Sequence, residues 1–190
     1  MNAGEKQLDA WSGDFGKRYA LRNQITPVAV EQRRLAFSHI FDYFEEGDEP
    51  SSILEIGCNI GINLNALSKV TNAELHAIEP NQAALEILAE SGLLPENRVQ
   101  SGSIQAIPFG NGEMDLVLTS GVLIHIPDDA LESALSELYR VSRRYILMLE
   151  YFAPSPETVP YHGHDDFLFK RDYGSILLDN FPDLQHIANG

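Results

Sequence analysis

Apolar and polar positions along the chain alternate between two periods. Ser52–Ile56 is a short β-rich run ending in glycines, the pattern of a buried strand. Leu64, Leu67 and Val70 then recur at helical spacing across Asn63–Val70. Glu74–Ile78 predicts a second strand, and Asn81 an N-cap for a helix through Ser91 that Gly92 closes. Arg98–Ser101 is a weaker third strand. The strongest strand signal is Met114–Thr119, continuing into Val122–Ile124, where near-continuous apolarity predicts a central strand covered on both faces. Asp128 caps a helix whose stripe is Leu131, Leu135, Leu138 and Val141, and Tyr145–Leu149 is a fifth strand. This alternation predicts an α/β fold: a Rossmann-like, doubly wound, mostly parallel sheet with helices on both faces.

Two segments flank this core. Thr26 and Pro27 mark the start of a helix to about Glu46, with Leu35, Ile40, Phe41 and Phe44 on its apolar side. Earlier still, Trp11, Phe15 and Tyr19 recur every four residues, a stripe that reads as helix packing before it reads as a ligand box. Downstream, Pro154, Pro156 and Pro160 break regular structure ahead of a helix from Asp172 to Asn180, and Leu184–Ala188 is a candidate sixth strand. A single domain is expected, with residues 1–48 as a helical leader or lid and 49–190 as the core.

Composition narrows the partners. The 190 residues carry a formal charge of −15, which opposes approach to a phosphate backbone or an anionic bilayer. Neither nucleic acid nor membrane is an expected partner. No apolar run approaches the ~18 residues of a membrane span, and Met1–Asp14 is too polar and acidic for a signal peptide. The one cysteine, Cys58, has no internal partner for a disulfide, which favours a reducing, cytoplasmic setting.

The first chemical constellation is Glu55-Ile56-Gly57-Cys58-Asn59-Ile60-Gly61, between strand one and a helix. Ligands of open α/β sheets bind at the carboxyl ends of strands, where glycines let backbone approach closely. Glu79 ends strand two, placed to accept hydrogen bonds from the vicinal hydroxyls of a ribose. A dinucleotide fingerprint needs Gly-x-Gly-x-x-Gly, yet Asn59 takes the second glycine position here. The form Glu-x-Gly-x-x-x-Gly resembles the first motif of class I S-adenosylmethionine (SAM)-dependent methyltransferases.

That resemblance implies SAM as cofactor. It implies SAM contacts from Glu55, Gly57, Cys58, Asn59 and Gly61, from Glu79 and Pro80, from Ser103 and Ile104 after strand three, and from Thr119 and Ser120 after strand four. Ser103 stands where an acid facing the adenine amine is common. The leader from Trp11 to Asn23, Gly121 to Ile126, Tyr145 to Tyr151 and Val159 to Asp172 together resemble one small group, the methyltransferases named for association with pseudaminic acid biosynthesis. It implies a small anionic acceptor. Methyltransferase sheets of this class finish with an antiparallel hairpin, so the last strand is expected to be missing.

Methyl transfer needs an aligned nucleophile, and for an alcohol a base. His125, His164 and Tyr151 are the catalytic candidates, with Glu150 beside Tyr151. The other reading of His125 is a partly buried histidine bonded to backbone. Tyr19, Arg22, Asn23, Tyr161, His162, Lys170 and Arg171 are candidate acceptor contacts, since Arg pairs bidentately with carboxylates and cations are scarce in this chain. Tyr161–Asp166 gathers histidines and acids, but without ligand geometry no metal is expected. His39, His76 and His186 are read as structural or surface. The function expected is O-methylation of a sugar acid or another carboxylate-bearing metabolite. The alternatives are N- or carboxyl-methylation of another small metabolite, or SAM binding without turnover. Oligomeric state is not legible.

Overall fold

A computed structural model describes residues 2–189. Five strands form the sheet: β1 (Ser52–Ile56), β2 (Glu74–Glu79), β3 (Val99–Ser101), β4 (Met114–Ser120) and β5 (Ser142–Leu149). Their order is β3-β2-β1-β4-β5 and every pairing is parallel. The order reverses beside β1, so a crevice opens over the carboxyl ends of β1 and β4, the place such sheets bind ligands. β1 and β4 are largely apolar because both their faces are covered. Ile53, Leu54, Ile56 and Leu118 are at most 1% exposed, and each such side chain contributes about 1.5–3 kcal/mol by leaving water.

Helices α4 (Ile62–Leu67), α5 (Gln82–Glu90) and α6 (Asp128–Val141) are the crossovers; the cap read from sequence explains the start of α5, whereas the expected Asp128 cap of α6 is not one. Asn81 accepts the Ala83 and Ala84 N–H groups at the head of α5. Asp128 opens α6 as its first residue, with Pro127 as the N-cap. Thr26 caps α3 (Pro27–Phe41) through the Ala29 N–H. That helix stops at Phe41, short of Glu46, and Phe44 reaches the core from the following turn by packing on Tyr145. Two further helices, α1 (Ala3–Ser12) and α2 (Asp14–Arg22), make up the leader.

The chain departs from its pattern in three places. Val122–Ile124 does not extend β4: Gly121 takes φ +66°, which ends the strand, and Leu123–His125 forms a 3-10 turn. The proline-rich stretch holds a separate antiparallel hairpin of β6 (Glu157–Tyr161) and β7 (His164–Lys170). Pro160 is tolerated there because it falls where the register shifts between Val159 and Tyr161. Leu184–Ala188 is not a strand; it follows α7 (Tyr173–Asn180) as irregular chain, and Leu184 packs on the core. Among the described residues β5 is therefore the last strand of the sheet.

Candidate active site

Three backbone positions after β1 lie in the left-handed region: Gly57 at φ +67°, Asn59 at φ +49° and Gly61 at φ +85°. A Cβ on Gly57 would stand 2.7 Å from Val122 Cγ2, so only glycine fits between β1 and the turn after β4. Asn59 shows why a glycine is dispensable at the second position. Asparagine is among the few residues that enter this region at low cost. Its Oδ1 also accepts the Ile60 N–H at 2.9 Å and the Asn23 Nδ2 at 3.2 Å.

Glu79 is buried at the end of β2 and braces this loop. Its Oε2 accepts the Asn59 N–H and its Oε1 the Asn81 N–H, each at 2.9 Å. Burial raises its pKa, against the pull of those two N–H groups. Glu55 lies deeper, 2% exposed. Asn63 Nδ2 donates to its Oε1 at 2.7 Å, and Arg33 Nε in turn donates to Asn63 Oδ1 at 2.8 Å. Burial, with Glu79 as a like-charged neighbour, pushes the Glu55 carboxyl up to about 8. Its Oε2 has no hydrogen-bond partner.

These groups border one cavity of about 390 Å³, within the range of small-molecule sites. Of the cofactor candidates, Glu55, Gly57, Cys58, Asn59, Glu79, Pro80, Ser103, Ile104 and Ser120 line it. Gly61 does not: it caps α4 behind the loop. Thr119 does not either, being fully buried in β4. Cys58 is buried, and burial beside Glu55 and Glu79 drives its thiol pKa well up, so it is an inert wall.

The rest of the lining comes largely from the leader and the turn after β4. Gln7, Trp11, Tyr19, Asn23 and His125 belong to it. His125 is nearly buried, and its Nδ1 lies 2.6 Å from the Phe167 carbonyl oxygen, which also accepts from Gln7 Nε2 at 3.1 Å. A carbonyl only accepts, so Nδ1 carries the proton and Nε2 keeps its lone pair. Burial lowers the ring's pKa to about 4, keeping it neutral near pH 7. The ring packs against Trp11, 4.6 Å between centroids, and Tyr161, 5.0 Å.

The remaining candidates divide. Tyr161 and His162 sit at the hairpin turn against the leader, where the Arg22 guanidinium lies 3.2 Å from His162 Nε2 and over the Tyr19 ring. None of these three lines the cavity itself; they form its outer rim. His164 stacks on Phe167 at 3.9 Å, away from the cavity wall. Tyr151 is 57% exposed beyond β5 and also off the wall. Glu150 accepts the Val122 and Ile124 N–H groups, which makes it a brace for the turn that carries His125.

Two substrate candidates belong elsewhere. Lys170 pairs in register with Glu157 at the far end of the hairpin from its turn. Arg171 is 3% exposed and bonds the Ile126 carbonyl, the Tyr173 hydroxyl and Asp128, so its guanidinium holds structure together. Sequence reading missed Gln7, Arg33, Asn63 and Gln105 on the cavity. For Gln7, Arg33 and Asn63 the only signal is helical phase relative to apolar neighbours, which does not separate a cavity face from solvent, and Gln105 lies in a turn. Among the described residues no group of three or more His, Cys, Asp or Glu is placed to hold a metal, and no helix is long and apolar enough to cross a membrane.

The loop, the acids and the strand order together define the class I methyltransferase fold, and comparison with known proteins agrees. Residues 53–144 match the family model described as "Methyltransferase domain". An uncharacterized protein of Haemophilus influenzae is 24% identical over 133 residues, 68% of this chain and 48% of that protein. The "Probable tocopherol O-methyltransferase, chloroplastic" of Oryza sativa subsp. japonica is 30% identical over 119 residues, 60% of this chain and 32% of that protein. The chain thus spans half or less of the length of these curated relatives. The 1,6-didemethyltoxoflavin-N1-methyltransferase of Burkholderia thailandensis, solved with that substrate and S-adenosylhomocysteine, superposes with a TM-score of 0.65 at 15% identity. The match covers 94% of this chain and 79% of that one, and it shows the shared fold.

Proposed function

We propose that this chain is a SAM-dependent methyltransferase of the cytosol acting on a small, anionic, polar acceptor, and that it methylates a hydroxyl of a sugar acid or similar carboxylate-bearing metabolite. The observation that carries this reading is the gathering of unlike groups around one cavity, which Glu55, Glu79, the Gly57 loop and neutral His125 all line.

The strand wall suits SAM. Glu79 still has lone pairs for ribose hydroxyls. Glu55 is a buried carboxyl with an idle oxygen, whose ionised form a neighbouring cation such as an α-ammonium would favour. When bound, SAM supplies a methyl group made electrophilic by a sulfonium. Nothing on this wall needs to do more than hold it in line.

The leader wall suits a protic nucleophile. With Nδ1 pinned on the Phe167 carbonyl, the Nε2 of His125 would be the group to accept the proton of a hydroxyl acceptor. A carboxylate nucleophile would have no proton to give, so this histidine favours the hydroxyl. The acceptor's anionic end then faces the rim, where Arg22 and Tyr161 stand on the leader and the hairpin. Residues 1–48 act as the lid over the core. The resemblance to the pseudaminic acid-associated group supports a sugar acid on that side.

Calorimetry with SAM is the first test, and absence of binding would sink the reading. Incubation with labelled SAM and a metabolite extract, with mass spectrometry of the product, then identifies acceptor and atom. Binding without any labelled product would favour a non-catalytic SAM-binding module.

A further inference from the structure

Asn81 is 2% exposed and sits between the cofactor wall and the leader. Its backbone N–H donates to Glu79, and its Oδ1 caps α5. Its Nδ2 lies 2.9, 3.2 and 3.0 Å from the carbonyl oxygens of Trp11, Ser12 and Gly13, the corner where α1 turns into α2. The corner closes so tightly that a Cβ on Gly16 would fall 1.8 Å from the Trp11 carbonyl and 2.7 Å from Asn81 Nδ2. A helix cap needs only the side-chain oxygen. The amide nitrogen is a separate device, and it is spent on the leader.

We propose that Asn81 is the positioning residue that seats the leader, linking Glu79 on the cofactor wall to Trp11 on the acceptor wall. Trp11, Gly16, Tyr19 and Asn23 all border the cavity from the segment this one amide holds. Losing it lets the leader lift, and a ligand then binds only the seated fraction of molecules. The effect expected on SAM affinity rests on the cofactor reading given above. The seating itself does not, because Trp11 is the only tryptophan in the chain and reports directly on the leader.

The experiment compares Asn81→Asp with Asn81→Ala. Aspartate caps a helix as well as asparagine does but has no N–H to give, so Asn81→Asp removes the leader contact and keeps the cap, whereas Asn81→Ala loses both. Both should shift the ligand-free Trp11 emission to longer wavelength and open the leader to proteolysis. Both should weaken SAM binding about tenfold, the worth of one or two net hydrogen bonds. Wild-type emission and protease resistance in Asn81→Asp would overturn the proposal. A wild-type protein that does not bind SAM would overturn the cofactor reading, with the emission comparison still deciding the role of Asn81.

Discussion

On the strand side of the cavity, the two acids are held by the loops and helix that follow the strands. Glu79 is held by two N–H groups and Glu55 by the Asn63 amide. On the leader side the groups are aromatic rings, amides and one imidazole, held by contacts between distant segments: the Phe167 carbonyl takes His125 and Gln7, and the leader's Trp11, Ser12 and Gly13 carbonyls accept from Asn81. The strand side is pre-organised by the fold itself and presents carboxyls. The leader side is assembled by docking and presents donors and rings. On the proposed function, one half takes the same cation every time, and the other can be restyled around a particular acceptor.

The sharpest way to break this contrast is His125→Phe. Turnover of labelled SAM with the acceptor should fall by about a hundredfold or more, as for loss of a general base, while calorimetry finds SAM affinity unchanged. Equal loss in both would mean that the two walls are not separable. Gly57→Ala should do the reverse, lowering SAM affinity by about a hundredfold, since φ +67° costs an alanine roughly 1–2 kcal/mol and Val122 is already 2.7 Å from the new methyl. An unaffected titration would remove the loop from the site.

Glu55 and His125 also set opposite flanks of stability against pH. Folding holds the His125 pKa near 4, below its unfolded 6.5, so its contribution is full above pH 6.5 and is lost as pH falls toward 4. Folding raises Glu55 from 4.5 to about 8, so it costs stability as pH rises across that interval. Glu55→Gln should therefore raise stability at pH 8 by on the order of 2 kcal/mol, seen as a higher Tm, while weakening SAM binding about tenfold. A lower Tm would mean that Glu55 is ionised and paired. The smallest effect is expected from Arg22→Ala at the exposed rim: a few-fold rise in KM for the acceptor with SAM affinity unchanged, on the scale of a solvent-exposed ionic contact.

How far the residues foretold all this follows the same division. The strand side was legible because its chemistry is local. β1 runs into a glycine and β2 ends in an acid, and Asn81 caps the helix after β2, so Glu55, Gly57 and Glu79 could be placed by counting. The spacing also separated the loop from a dinucleotide fingerprint. On the leader side Tyr19, Asn23 and His125 stand out as candidates in the sequence, but what holds them was not legible because their contacts span the chain. Gln7 meets Phe167 across 160 positions, and His125 meets it across 42. Pro160 hid the hairpin, since prolines read as breaks unless the strand is known to lie at an edge. Arg171 was misplaced for a related reason: charge alone suggested a ligand, whereas its partners are a buried carbonyl and hydroxyl that only the folded chain assembles.

The carbonyl of Phe167 ties hairpin, leader and imidazole together without any side-chain chemistry of its own. Any residue at that position supplies the same oxygen, whereas sliding β7 by one place would withdraw it and let the ring of His125 turn over. Acceptor preference in this architecture is thus open to change by trading the hairpin as a unit, its side chains free to vary so long as its register is inherited.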